Sequence, residues 1–439
     1  MIIYQNTTLF SQMFFFDRKK QVFLLKNFLV FFMFLTIFSC KTVQKTMGSK
    51  PIAEKTVKMV HKSDLKSKNN VVINTKSLIF SVGADNFSGF SKFLKSKKVG
   101  VVTNQTGILS NNMNLVDFLV SKNVDLTKIF APEHGFRGTA DAGELIVDGK
   151  DVKTNLPIIS LYGDNKKPKA EQLNGVEVMI FDIQDVGARF YTYISTLHYV
   201  MEACAENNIL LLVLDRPNPN GNIVDGPVLE QEFASFVGMH PIPVLHGMTI
   251  GEYAQMINGE KWLKNGVQCE LQVIACSVYT RDSFYSLSVK PSPNLPNDQA
   301  INLYASLCFF EGTNVSVGRG TDLQFQIFGS PFLPNHNFCF IPQPNLGAKN
   351  PLYNGIDCFG ENLSGIPKID RLELKWLIKA FEETKEKSKF FNSFFTKLAG
   401  TKKLQQQIES GMSAAEIRAS WETNLIEFKA LRKKYLIYF

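Results

Sequence analysis

The chain has neither a CxxC pair nor a Cys/His spacing of the kind that holds zinc, which argues against a structural zinc site. No GxGxxG follows its first apolar run, and no GxxxxGKS/T occurs. A dinucleotide fingerprint and a Walker-type phosphate loop are therefore both missing, and no nucleotide cofactor is expected. The apolar run at residues 28–38 has signal-peptide length and is too short for a comfortable membrane span. Basic charge on the fold is also lacking. The formal net charge is +8, but it resides in the N-terminal stretch. Arg18, Lys19, Lys20 and Lys26 outweigh Asp17 there, and nine lysines outweigh Glu54 and Asp64 in residues 41–76. The rest is near neutral, so no nucleic-acid partner is expected.

What is present is globular in texture: 439 residues, 45% hydrophobic and 20% charged, enough for two domains. Residues 1–39 read as a signal peptide with a positive n-region. They end Leu35-Thr36-Ile37-Phe38-Ser39-Cys40, a small residue before Cys that resembles a bacterial lipobox. Cys40 is the expected lipidation site and membrane anchor, with simple secretion as the alternative. Lys41-Thr42-Val43-Gln44-Lys45 carries no acidic export patch, which favours the periplasmic face. Residues 40–78 are rich in Lys, Ser and Asn and read as a linker. Six further cysteines follow: Cys204, Cys269, Cys276, Cys308, Cys339 and Cys358. An even number permits disulfides in an exported protein, yet Cys204 and Cys308 sit in apolar runs as small hydrophobes.

From residue 79 short apolar runs alternate with helical segments, the signature of βα units and a parallel sheet. Four runs end in polar clusters: TNQTG after Val99-Gly100-Val101-Val102-Thr103, EHG after Ile129-Phe130-Ala131, DIQDVG after Val176 to Phe181, and DRPNPNG after Leu210 to Leu214. Ends of parallel strands share one edge, where open α/β sheets bind ligands. Residues 79–234 are therefore expected to form a Rossmann-like catalytic domain. Beyond, frequent prolines and turns suggest a smaller α+β domain over 235–439, with helices around 251–257 and 372–381 and an active site in the cleft between the domains. Ser413-Ala414-Ala415-Glu416 reads as a capping box opening a helix that carries Ile417, Trp421, Leu425 and Phe428.

Ala131-Pro132-Glu133-His134-Gly135-Phe136-Arg137-Gly138 is the densest cluster of chemical groups. Glycosidic hydrolysis needs a carboxylic acid to protonate the leaving oxygen and a second group to activate water or stabilise the cation. Glu133 is the candidate acid, with His134 to orient it and Asp182 as a further catalytic candidate. A charged turn is the competing reading. Substrate-binding candidates are Asn104, Arg137 and Asp185, then Arg189, Tyr191 and Tyr193, where a forked cation adjoins two phenols. Arg216 and Asn218 sit in a rigid polar turn. Glu311, Asn314 and Arg319 lie in a glycine-rich segment that an exposed hairpin would match equally well. Thr249 and Glu252 read as a helix capping box, without chemistry.

TNQTG, APEHGFRG, DIQDVGARFYTY, DRPNPNG, HGMTIGE, PSPNLP and FFEGTNVSVGRGTD stand in this order from about Val99 onward. Together they resemble the NamZ-type exo-β-N-acetylmuramidases, a glycoside hydrolase family. The resemblance implies an exo-acting enzyme that releases N-acetylmuramic acid from the non-reducing end of peptidoglycan fragments, in cell-wall turnover and recycling. It also implies a Rossmann-like domain beside a smaller α+β domain, and a catalytic Glu that maps onto Glu133. The anionic lactyl ether of such a substrate suits Arg189 or Arg319. Peptidoglycan-derived muramyl glycans are the expected partners, with no cofactor. Two alternatives remain: a metal-dependent hydrolase using Glu133, His134, Asp182, Asp185 and His246, and a non-catalytic glycan-binding lipoprotein.

Overall fold

A computed structural model describes residues 80–136, 148–335 and 337–439. The expected signal peptide, Cys40, the linker and Arg137 lie outside the described residues. Seven strands form the main sheet: β1 (Val99–Thr103), β2 (Leu126–Ala131), β3 (Gly149–Lys150), β4 (Pro157–Ser160), β5 (Val178–Asp182), β6 (Leu210–Leu214) and β7 (Leu271–Ile274). Their order is β3-β4-β2-β1-β5-β6-β7. All neighbours pair in parallel except the antiparallel β3–β4 edge.

Strand periodicity sorts the apolar residues onto two faces. Val102, Phe130, Met179, Phe181, Leu211 and Val213 join one core cluster, which continues into the C-terminal half through Trp376, Trp421 and Phe428. Val101, Ile129, Val178, Ile180, Leu212 and Leu214 join the other, under helices Phe87–Leu94 and Leu115–Ser121. A second sheet of β8 (Ile327–Ser330), β9 (Cys339–Phe340) and β10 (Cys358–Asn362) is antiparallel in order β8-β10-β9. The architecture is the expected α/β sheet followed by a smaller α+β part. The boundary expected at 234/235 falls too early, because β7 completes the first sheet from residues 271–274.

Local signals are met closely. Thr249 and Glu252 cap helix Ile250–Gly259 reciprocally, and Ser413 and Glu416 cap helix Ala414–Ser420. The single helix expected after Ser413 is two, divided at Trp421, which has φ −107° and ψ 2° and opens helix Glu422–Arg432. Ile417, Trp421, Leu425 and Phe428 are all buried. The six cysteines after Cys40 are free, and only Cys339 is exposed. Among the described residues no helix is long and apolar enough to cross a membrane.

Arg189 corrects an expectation. It is fully buried and faces no substrate. Its Nη1 donates to the Pro227 and Ile242 carbonyls, and its Nη2 to those of Leu398 and Ala399, all at 2.7–2.8 Å. The latter two end helix Phe395–Ala399, where the peptide dipoles leave negative potential for a cation. Gly400 closes that helix with φ 71°, and a Cβ there would lie 2.8 Å from Nη2. A planar fork has the reach to join four carbonyls, whereas an ammonium offers three donors at one point. Arg189→Ala is expected to cost at least about 3 kcal/mol of stability, since four buried carbonyls lose a donor and, among the described residues, only that of Ile242 keeps another, the Leu229 amide. Arg189→Lys should recover little of it. Urea unfolding measures both, and an unchanged midpoint for Arg189→Ala would contradict this role.

Candidate active site

The parallel strands deliver their carboxyl ends to one edge, as the sequence implies. Glu133 and His134 follow β2 there, and the segment Phe190 to Tyr193 arrives after β5. With Tyr162, Ser292, Asn294, Tyr304, Glu311, Arg319, Phe325 and Phe394 they line a cavity of about 260 Å³. His134 and Gly135 both adopt left-handed backbone, φ 72° and 75°. A non-glycine residue held there at a functional loop is a local cost that the fold must hold in place. His134 is buried, and Glu133 is partly exposed to the cavity.

Thr192 Oγ1 donates to Glu133 Oε2 at 3.0 Å, fixing one carboxylate oxygen. The Tyr191 hydroxyl donates to the Pro291 carbonyl at 2.8 Å. Tyr193 lies 3.3 Å from the same carbonyl and accepts from Asn104 Nδ2 at 2.8 Å. The two rings meet edge to face, with centroids 4.9 Å apart. Burial, then the nearby Glu133 charge, raises the Tyr193 phenol, and burial also raises Tyr191, so both stay protonated. Across the cavity Arg319 Nε donates to Glu311 at 2.6 Å, and its guanidinium covers the Phe325 ring at 5.1 Å. Burial opposes the Arg319 charge, but Glu311 more than offsets this and the pKa is raised. Asn294 Oδ1 is a buried acceptor without a hydrogen bond among the described residues.

Glu133, His134, Tyr191, Tyr193, Glu311 and Arg319 are thus brought together as expected. Asn104 acts one step back, through Tyr193. Five other candidates are not at the cavity. Asp182, expected to be catalytic, is wholly buried and paired with Arg216 through Nε at 2.6 Å and Nη2 at 2.9 Å. This bidentate pair occupies both residues. Asn218 bonds the Met248 carbonyl and the Asn220 amide. Asp185 accepts from the Gly187 amide at 2.7 Å and lies 3.9 Å from His246. Asn314, partly buried, lies outside the cavity lining. This dispersal also removes the metal-site reading. Among the described residues no three His, Cys, Asp or Glu side chains cluster as ligands.

Thr192 lies within the DIQDVGARFYTY motif, where a hydroxyl between two tyrosines gives no signal of its own. Ser292 and Asn294 belong to PSPNLP, whose turn character concealed their position. Tyr304 and Phe394 carry no sequence signal, because an aromatic side chain at helical spacing reads as core.

The N-terminal model of the exo-beta-N-acetylmuramidase NamZ matches residues 99–299, and the C-terminal model of the same family matches 302–438. The peptidoglycan beta-N-acetylmuramidase NamZ of Bacillus subtilis (strain 168) is 40% identical over 372 residues, covering 80% of this chain and 89% of that one. Two crystal structures of DUF1343 family proteins from Bacteroides fragilis NCTC 9343 have the same fold. One has a TM-score of 0.76 at 43% identity, covering 82% of this chain and 99% of its own. The other has 0.69 at 28%, covering 82% and 100%.

The Asp185–His246 pair sets a pH dependence. Burial pushes Asp185 up to about 7 and His246 down to about 3, so both are neutral in mildly acidic solution. A carboxyl raised above its unfolded value of 3.8 loses relative stability as pH climbs from about 4 to 7. Asp185→Asn removes that titration and keeps the acceptor for Gly187. It should stabilise the protein at pH 8, by at most about 4 kcal/mol, and do little at pH 4. Thermal melts at the two pH values check this, and equal effects at both would refute it.

Proposed function

The chain belongs to the exo-beta-N-acetylmuramidase NamZ family, and we propose that it hydrolyses N-acetylmuramic acid from the non-reducing end of peptidoglycan fragments. The observation that carries this reading is Glu133, held by Thr192 in a cavity of about 260 Å³. That is just below the usual ligand-pocket range, which begins at about 300 Å³, and suits one sugar ring. Aromatic walls offer faces to the ring, and Asn294 offers an unpartnered acceptor to a hydroxyl or acetamide donor.

In this reading Glu133 gives its proton to the glycosidic oxygen as the bond to the muramic C1 breaks. Water adds to C1, and the proton it releases restores the carboxyl. The second role falls to Glu311, the other carboxylate lining the cavity, in place of Asp182. Arg319 bonds Glu311 through Nε, so its terminal nitrogens are the groups to receive the lactyl carboxylate. The leader motif supports a lipid on Cys40 and a place at the membrane, facing the periplasm.

A chromogenic muramic-acid glycoside, with product anomers followed by NMR, tests substrate and stereochemistry together. Glu133→Gln should lower kcat by at least about 100-fold with binding retained, because an amide cannot deliver the proton. Undiminished turnover would sink the assignment. Arg319→Ala also frees Glu311, so both substrates should lose rate, but kcat/KM on muramic glycosides should fall by about 10- to 100-fold more than on the matching glucosamine glycosides. An equal loss on both would remove Arg319 from lactyl recognition. For the anchor, the wild-type chain should enter the detergent phase on Triton X-114 partition and Cys40→Ser should not. A wild-type chain in the aqueous phase would dismiss the lipid.

A further inference from the structure

Two more hollows adjoin the Glu133 cavity, and they differ in how much of their polar lining is already bonded. One is reached past Phe236, which lines both. Its histidines and its carboxylate are engaged, while Ser235 Oγ is buried without a hydrogen bond among the described residues. His240 lies 3.0 Å from His198 and 2.7 Å from the Tyr253 hydroxyl. Glu202 accepts from Lys167 Nζ and from the Lys264 amide. The histidine and carboxylate network is satisfied without a ligand.

The other is reached past Ser292 and has a volume of about 610 Å³. Gln105, Lys290, Asp322, Gln324 and Asn345 supply its polar lining. Gln105 Oε1 and Asn345 Oδ1 are buried acceptors without a hydrogen bond among the described residues. Buried acceptors left this way are costly, and a ligand carrying donors relieves the cost. Pro293 and Leu346 add apolar surface beside them. The wall between this hollow and the Glu133 cavity is one loop. The Pro291 carbonyl accepts from Tyr191 and Tyr193 on one side and from Gln105 Nε2 on the other.

We propose that this second hollow binds the leaving-side sugar of the substrate, an N-acetylglucosamine unit held through its hydroxyl and acetamide groups. The assignment rests on the muramidase reading above. A pyranose ring combines many donors with an apolar face, the combination this lining meets. The hollow past Phe236 is left without a sugar, since its histidines and carboxylate would have to exchange existing partners and, among the described residues, it offers one buried unbonded hydroxyl against two unbonded amide acceptors.

The test compares kcat/KM of the full chain on two substrates sharing one muramic unit: the disaccharide with N-acetylglucosamine, and a 4-nitrophenyl glycoside. Asn345→Ala and Gln324→Ala should lower the disaccharide-to-aryl ratio by at least about tenfold. Ala234→Trp, which fills the exposed mouth of the hollow past Phe236, should keep the ratio within about twofold. Thermal melts confirm that each variant is folded. Equal losses on both substrates, or a ratio that falls with Ala234→Trp instead, overturn the assignment while the muramidase reading stands. A wild-type chain that cleaves neither substrate removes that reading and the subsite with it.

Discussion

The cavity depends on one cation that never reaches it. Arg189 is buried without a carboxylate partner and is held by four backbone carbonyls from distant parts of the chain. Burial lowers its pKa to about 9, which leaves it charged at neutral pH. Removing a guanidinium from water is expensive, and the return is positional. Phe190, Tyr191, Thr192 and Tyr193 follow it directly and form one wall of the cavity. Phe394, which also lines the cavity, precedes the helix whose terminal carbonyls Arg189 bonds. The same contact therefore ties two parts of the lining together.

The second constraint is the removal of competing charge from the strand ends. Asp182 is neutralised by Arg216. Asp215 accepts from Thr249 Oγ1, the Gly251 amide and the Tyr438 hydroxyl, at 2.7–2.8 Å. Asp185 is buried against the Gly187 amide. Of the acidic groups at this edge, Glu133 is the one left facing the cavity. A general acid needs a site where its proton goes to the substrate and not to a neighbouring carboxylate. The fold achieves this by tying the other acids into structure.

This division explains how much was legible in the sequence. The apolar runs, the capping boxes at Thr249 and Ser413, and the grouping of strand-end clusters follow from local pattern and from the parallel topology. Glu133 could be picked out because its carboxylate and turn glycines are adjacent in the chain. Arg189, Asp182 and Arg216 were misassigned because a sequence shows that a charged group is present but not which partner it meets. The partners of Arg189 lie 38 to 210 positions away. The same distance effect hid β7, which joins the first sheet only after helix Ile250–Gly259 has crossed over.

Size and polarity together give the site a direction. The Glu133 cavity is small and walled by aromatic rings, a size that suits one sugar ring. The hollow past Ser292 is more than twice as large and lined by amides and charges. A chain entering such a site puts its end unit against the aromatic wall and its remainder toward the polar side. The bond between them then falls beside the Pro291 loop, which Tyr191, Tyr193 and Gln105 grip from opposite sides. Under the proposed reading, exo action follows from the small size of the Glu133 cavity. The rigidity of that loop then decides how well the scissile oxygen is presented to Glu133.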